Sequence, residues 1–112
     1  MIQEYSFGQM KINDQIYKGD LKIINGKVIP EWWQKERHKI QDIDLLDLPE
    51  DTEILVIGNG ASGMNQVQKN TYRMAEEKNI EIHVEITDKA KDLFNEYEKQ
   101  GKKVMGAFHL TC

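Results

Sequence analysis

The 112-residue chain has one cysteine, two prolines and no apolar stretch near the roughly 20 residues a bilayer span requires. A single thiol excludes an internal disulfide framework and fits a reducing compartment. With so little proline and no low-complexity run, 39% hydrophobic and 30% charged residues make a globular composition, not a disordered one. The opening Met1-Ile2-Gln3-Glu4-Tyr5 lacks the basic start and apolar run of a secretory leader. The expectation is one soluble, cytoplasmic domain over residues 1–112, large enough for one core and too short for separate cofactor and substrate domains.

Basic charge is also scarce. The net charge is −4, and it is unevenly spread: residues 1–40 hold seven Lys or Arg against five Asp or Glu, while residues 41–112 hold eight against fourteen. Phosphate binding draws on clustered positive charge, so the composition argues against nucleic acid as a partner.

What is present reads as β structure first, then alternating strands and helices. Residues 7–12 and 15–17 are strand candidates about an Asn13-Asp14 turn. Leu21 to Ile24 and Lys27 to Ile29 flank Asn25-Gly26, a pair that supplies the positive φ angles of a two-residue type I′ hairpin. Glu53 to Ile57 has the length and branching of a strand buried on both faces. Met64, Val67, Thr71, Met74 and Ala75 recur at helical spacing and predict a helix over 64–78. Residues 80–86 alternate apolar and polar as a strand with one wet face. Thr87 is positioned to cap a helix through about Gln100, and residues 104–110 form a last strand. Short strand-helix-strand connections favour parallel pairing of 54–57 with 80–86.

Several residues invite chemistry. Gly58-Asn59-Gly60-Ala61-Ser62-Gly63 matches G-x-G-x-x-G after a strand, with Glu85 twenty-two residues beyond Gly63 where a dinucleotide fold would place its ribose acid. The chain has only one such unit, so a tight turn packing helix on strand is the better reading, with a small anion at its free N–H groups as the alternative. Gly63 is followed by Met64-Asn65, not the Lys and Ser or Thr of a phosphate loop. His109 and Cys112 could converge only if the strand breaks near Leu110 or Thr111. No metal-ligand spacing supports a metal site, and although a charged His109 would favour a Cys112 thiolate, the neighbouring terminal carboxylate opposes it and no second acid or amide partner completes a catalytic nucleophile. Trp32, Trp33, Lys35, Arg37, His38 and Lys39 form an aromatic and basic cluster of the kind enriched at protein contacts, although one Trp could equally fill the core.

The ending Phe108-His109-Leu110-Thr111-Cys112 resembles the terminus of the Mth938-like family, which includes an adipogenesis-associated domain protein and a mitochondrial complex I assembly factor. Phe7-Gly8-x-Met10, Trp33, His38, Val56-Ile57-Gly58-Asn59-Gly60 and Thr87-x-x-Ala90 resemble it too. Where relatives carry an arginine soon after the tryptophan and a glycine before the histidine, this chain has Gln34 and Arg37. The resemblance implies a three-layer α/β fold with a mixed central sheet, helices on one side and an additional N-terminal β-hairpin layer.

No acid-base pair or nucleophile-base pair can be assembled from the sequence, which favours a non-enzymatic interaction or assembly module without cofactor or metal. Its partner would be a protein met through Trp32, Trp33 and Arg37, with self-association as a further option. The competing expectation is a small-ligand or anion site at Gly58, Asn59, Gly60, Ser62 and Gly63, with His38 and His109 nearby.

Overall fold

The computed structural model describes residues 1–112. Strands β1 (Ile2–Ser6), β2 (Gln9–Ile12) and β3 (Gln15–Tyr17) form an antiparallel sheet of their own. The chain turns between β2 and β3 at Asn13 and Asp14, both at positive φ. Strand β1 lies in the opening residues that show no strand signal of their own, because Gln3 and Glu4 interrupt the alternation. It is held by pairing with β2 and by Asn95, whose side chain accepts from Ile2 N at 2.9 Å and donates to Ile2 O at 2.7 Å.

Strands β4 (Leu21–Ile24) and β5 (Lys27–Ile29) form the expected hairpin, with Asn25 at φ 52° and Gly26 at φ 74°. After β6 (Lys39–Ile40) and a 3₁₀ turn at Asp42–Leu45 come β7 (Ile54–Asn59), β8 (Gln66–Val67), α1 (Lys69–Glu77), β9 (Glu81–Glu85), α2 (Thr87–Lys99) and β10 (Val104–His109). The main sheet has the order β5-β4-β10-β7-β9. Strand β7 is parallel to both β9 and β10, with Leu55 opposite Ile82 and Met105, while β4 runs antiparallel to β10. The sheet is therefore mixed.

The helices do not share one side of it. On β7, Ile54 and Val56 pack with Ala90 and Phe94 of α2, whereas Leu55 and Ile57 pack with Ala75 of α1. Successive residues of a strand face opposite ways, so the helices lie on opposite faces. The cause is topological. The crossover through α1 steps from β7 outward to β9, the crossover through α2 steps back past β7 to β10, and right-handed crossovers in opposite directions cover opposite faces. The three-stranded sheet completes the α2 layer through Ile2, Met10 and Ile12. On the other face Trp32, Ile40 and Leu45 complete the α1 layer.

The segment expected to be one helix over 64–78 divides. Its first part is drawn into tertiary pairing: Asn65 N donates to Asn59 O, and β8 pairs in parallel with β6. The helix starts only at Lys69, with Thr71 and Ala75 buried and Met64 exposed. The last strand stops at His109, one residue before the expected end.

Candidate functional site

The carboxyl edge of the parallel strands gathers the polar groups of interest. Because Phe108 pairs with Leu21, the antiparallel register of β10 with β4 carries Asp20 up to His109. Oδ2 of Asp20 lies 2.5 Å from Nδ1 of His109 and accepts from Gln34 Nε2 at 3.0 Å, while its Oδ1 accepts from Leu110 N at 2.8 Å. Both side chains of the pair are mostly covered, 14% exposed for His109 and 18% for Asp20. Burial alone would raise the Asp20 pKa; the hydrogen bonds from His109, Leu110 and Gln34 outweigh it and hold the carboxyl below its ordinary value. Gln34 in turn accepts from Asn65 Nδ2 at 3.3 Å. Asn65 is fully buried, and its Oδ1 has no hydrogen-bond partner.

The glycine turn packs beneath this pair. A Cβ on Gly58 would come within 2.9 Å of both the Phe108 ring and Thr87 Oγ1. Gly60, at φ 109°, would place one 3.0 Å from Thr111 O and 3.3 Å from the His109 ring. Gly60 N donates to Thr87 Oγ1 at 2.9 Å and Ala61 N donates to Thr111 O at 2.9 Å, so two N–H groups of the turn are taken by the protein itself. No helix opens at the turn, since α1 begins six residues after Gly63. The dinucleotide fingerprint thus lacks the helix N-terminus on which a pyrophosphate would sit. Ser62 is exposed, and Gly63 packs toward Ile86 at φ 79°.

Thr87 does not cap α2 with its side chain. Its hydroxyl bridges two strands instead, accepting from Gly60 N and donating to His109 O at 2.6 Å. Residues 110–112 continue past β10 over the same region. Leu110 is fully buried, and its carbonyl accepts from Gly8 N at 2.7 Å and Tyr5 Oη at 2.9 Å. His109 and Cys112 do not converge: Cys112 is exposed, and the polar partner of His109 is Asp20. His83 sits in mid-strand on β9, opposite Val56, with Glu81 and Tyr97 as its neighbours.

Two clefts border this edge. One, of about 250 Å³, is lined by Asp20, Gln34, Glu36, Arg37, His38 and His109 together with Trp32 and Trp33. His38 is exposed at φ 62°, and its carbonyl accepts from Gln66 N at 2.8 Å, which ties the basic loop to β8. The other cleft, of about 490 Å³, runs from Trp33 to Ile43 and Leu46 with Lys22, Lys35 and Asp47. The two tryptophans part company. Trp32 is 6% exposed in the core, its Nε1 donating to Asp44 O at 2.9 Å, which withdraws it from any contact surface. Trp33 is 76% exposed and belongs to both clefts.

Sequence reasoning missed Asp20, Gln34 as its partner, and the bridging role of Thr87. The available signal was weak: a lone acid immediately before an apolar strand, which gains meaning only once that strand is known to pair with residues almost ninety positions away.

A mixed five-stranded sheet with a helix on each face and a second, three-stranded sheet in one outer layer defines a small three-layer α/β domain. Residues 2–109 match the family described as Protein of unknown function (DUF498/DUF598), and the chain belongs to it. The fold is shared with the conserved hypothetical protein PH1505 from Pyrococcus horikoshii (25% identity, 100% of this chain and 99% of that one, TM-score 0.83). It is shared also with MT938 (22%, 100% and 98%, 0.81) and with a Mth938-like domain protein of Bordetella pertussis (16%, 98% and 85%, 0.74). No helix of the chain is long and apolar enough to cross a membrane.

Proposed function

We propose that this domain is a non-enzymatic interaction module whose contact surface is centred on Trp33, Ile43 and Leu46. The observation that carries the reading is the exposure of these apolar side chains around one cleft, with Trp33 at 76% and Leu46 at 82%. Large apolar side chains clustered in the open mark contact sites more often than isolated ones do, and Trp is the commonest anchor of such sites. The occupant is a protein segment that brings an apolar side chain against Trp33 and Leu46 and an acidic group toward Lys35. Lys22 in the same cleft is already paired with Asp47 at 2.5 Å. The domain works in the cytoplasm, the compartment its single cysteine suits; cell fractionation with a tagged chain tests that part, and recovery in an exported fraction overturns it.

The test is affinity capture with the tagged chain, followed by reciprocal capture with the protein so identified. Trp33→Ala with Leu46→Ser should weaken the contact about 30-fold or more, the scale of losing a hot spot. Binding should also shift the emission of Trp33 to the blue, a change absent in Trp33→Phe. Unchanged affinity in the double variant refutes the surface. A dimer of the wild type that the double variant abolishes would make the occupant a second copy and overturn the heterologous reading.

A further inference from the structure

The smaller cleft carries an assignment independent of that contact. Asp20 accepts from Leu110 N, Gln34 Nε2 and the His109 ring, so its lone pairs are directed inward to the protein. The Gln34 amide can only lie one way round, because its oxygen end receives Asn65 Nδ2. In the neutral imidazole, this carboxylate keeps the ring proton on Nδ1 and leaves Nε2 as an acceptor. The neighbour of Nε2 is Thr111 Oγ1 at 3.4 Å, too long for a strong bond. A molecule that reaches Nε2 from the cleft therefore meets an oriented imidazole acceptor that a donor group would satisfy.

Another residue lining the same cleft supplies the charge. Arg37 is permanently cationic and presents a planar fork suited to a carboxylate. Glu36, which also lines the cleft, has its charge answered by Lys39 at 3.6 Å, and no carboxylate lies within 4.0 Å of the guanidinium. The negative charge of Asp20 steers an anionic group away from His109 and toward Arg37. A volume of about 250 Å³ accommodates an acid of a few carbons.

We propose that this cleft binds a small hydroxy acid, its hydroxyl donating to Nε2 of His109 and its carboxylate meeting Arg37. The geometry sets a selectivity: an acid of the same size without the hydroxyl leaves Nε2 unanswered. Glycolate and acetate are the matched probes, read by the His109 imidazole nitrogen resonances of the full chain. Glycolate should shift Nε2 saturably and bind at least about ten-fold more tightly than acetate.

Asp20→Asn would present an amide to His109 and place the ring proton on Nε2, so that the His109 nitrogen resonances report the opposite tautomer, an effect that loss of structure alone does not produce. Arg37→Met, at an exposed side chain, should lose both acids while the circular dichroism spectrum stays unchanged. Equal affinities for the two acids, no saturable shift up to tens of millimolar, or glycolate retained by Arg37→Met would each overturn the proposal. The arginine variant decides it even where Asp20→Asn fails to fold.

Discussion

Asp20 receives its three hydrogen bonds from two separate parts of the chain: Gln34 in a loop, and His109 with the backbone of Leu110 at the end of β10. Its depressed pKa makes a pH prediction. In the folded state the carboxyl stays ionised at acidities where the unfolded chain has already taken up the proton, so its contribution to stability is complete above the unfolded value, near 4. That contribution is lost as pH falls through the lower folded value. Asp20→Asn should cost about 1–3 kcal/mol at neutral pH and flatten the dependence of unfolding free energy on pH below about 4, measured by urea titration at a series of pH values. A variant with the wild-type acid limb would contradict this account. Gly106 makes a second residue-level case. A Cβ there would lie 2.5 Å from the Phe108 ring and 2.9 Å from Phe94, two rings packed edge to face at 5.8 Å. Gly106→Ala should therefore destabilise by about 1–3 kcal/mol in thermal or urea unfolding, as overpacked cores do. Neither role is visible in the sequence, because Asp20 depends on what another strand places beside it and Gly106 on how Phe94 of α2 packs against Phe108.

At the scale of elements, the signals that survived are the ones whose cause is local. Asn25-Gly26 makes its hairpin because both residues tolerate positive φ, whatever surrounds them. The run from Ile54 to Ile57 is buried on both faces, as its unbroken apolar character required. The helix expected over 64–78 lost its first turn because Gln66 and Val67 pair with Lys39 and Ile40, a contact that periodicity cannot register. Thr87 shows the same limit. Its position before an amphipathic run suggested a cap, yet its hydroxyl joins the end of β7 to the end of β10. Thr87→Val keeps the shape and removes both bonds, leaving the buried Gly60 N without its acceptor and the partly buried His109 O without this donor. That should lower stability by about 1–3 kcal/mol, and Thr87→Ser should restore most of it. A Thr87→Val variant as stable as the wild type, with the loss confined to Thr87→Ser, would assign the effect to the methyl group instead.

Across the whole molecule, one sheet separates two cores, and the segment 110–112 ties the outer three-stranded sheet to the edge where the polar cluster lies. Leu110 is fully buried in the core shared by α2 and the three-stranded sheet. Its carbonyl holds Gly8 N and Tyr5 Oη, its N–H holds Asp20, and Thr111 O holds Ala61 N in the glycine turn. The resemblance that rested on this ending therefore tracked a structural fastening, and its residues act on packing before any chemistry is asked of them. Deleting residues 110–112 should remove the burial of one leucine, about 2–5 kcal/mol by analogy with Leu→Ala, plus the orphaned hydrogen bonds, out of a total of about 5–15. The loss should be uneven. Hydrogen exchange at Gly8 and Met10 should accelerate most, because their sheet would be left with its packing through Ile2, Met10, Ile12, Tyr5 and Tyr17, the Asn95 clasp on Ile2 and the ion pair of the Met1 amino group with Glu98. Amides of β7, bonded on both sides to parallel neighbours, should retain most of their protection. Cys112→Ser, which alters an exposed thiol and none of these bonds, should stay within about 0.5 kcal/mol of the wild type. A truncated chain that melts with the wild type, or exchanges uniformly faster across β2 and β7 alike, would show that the segment does not fasten the outer sheet.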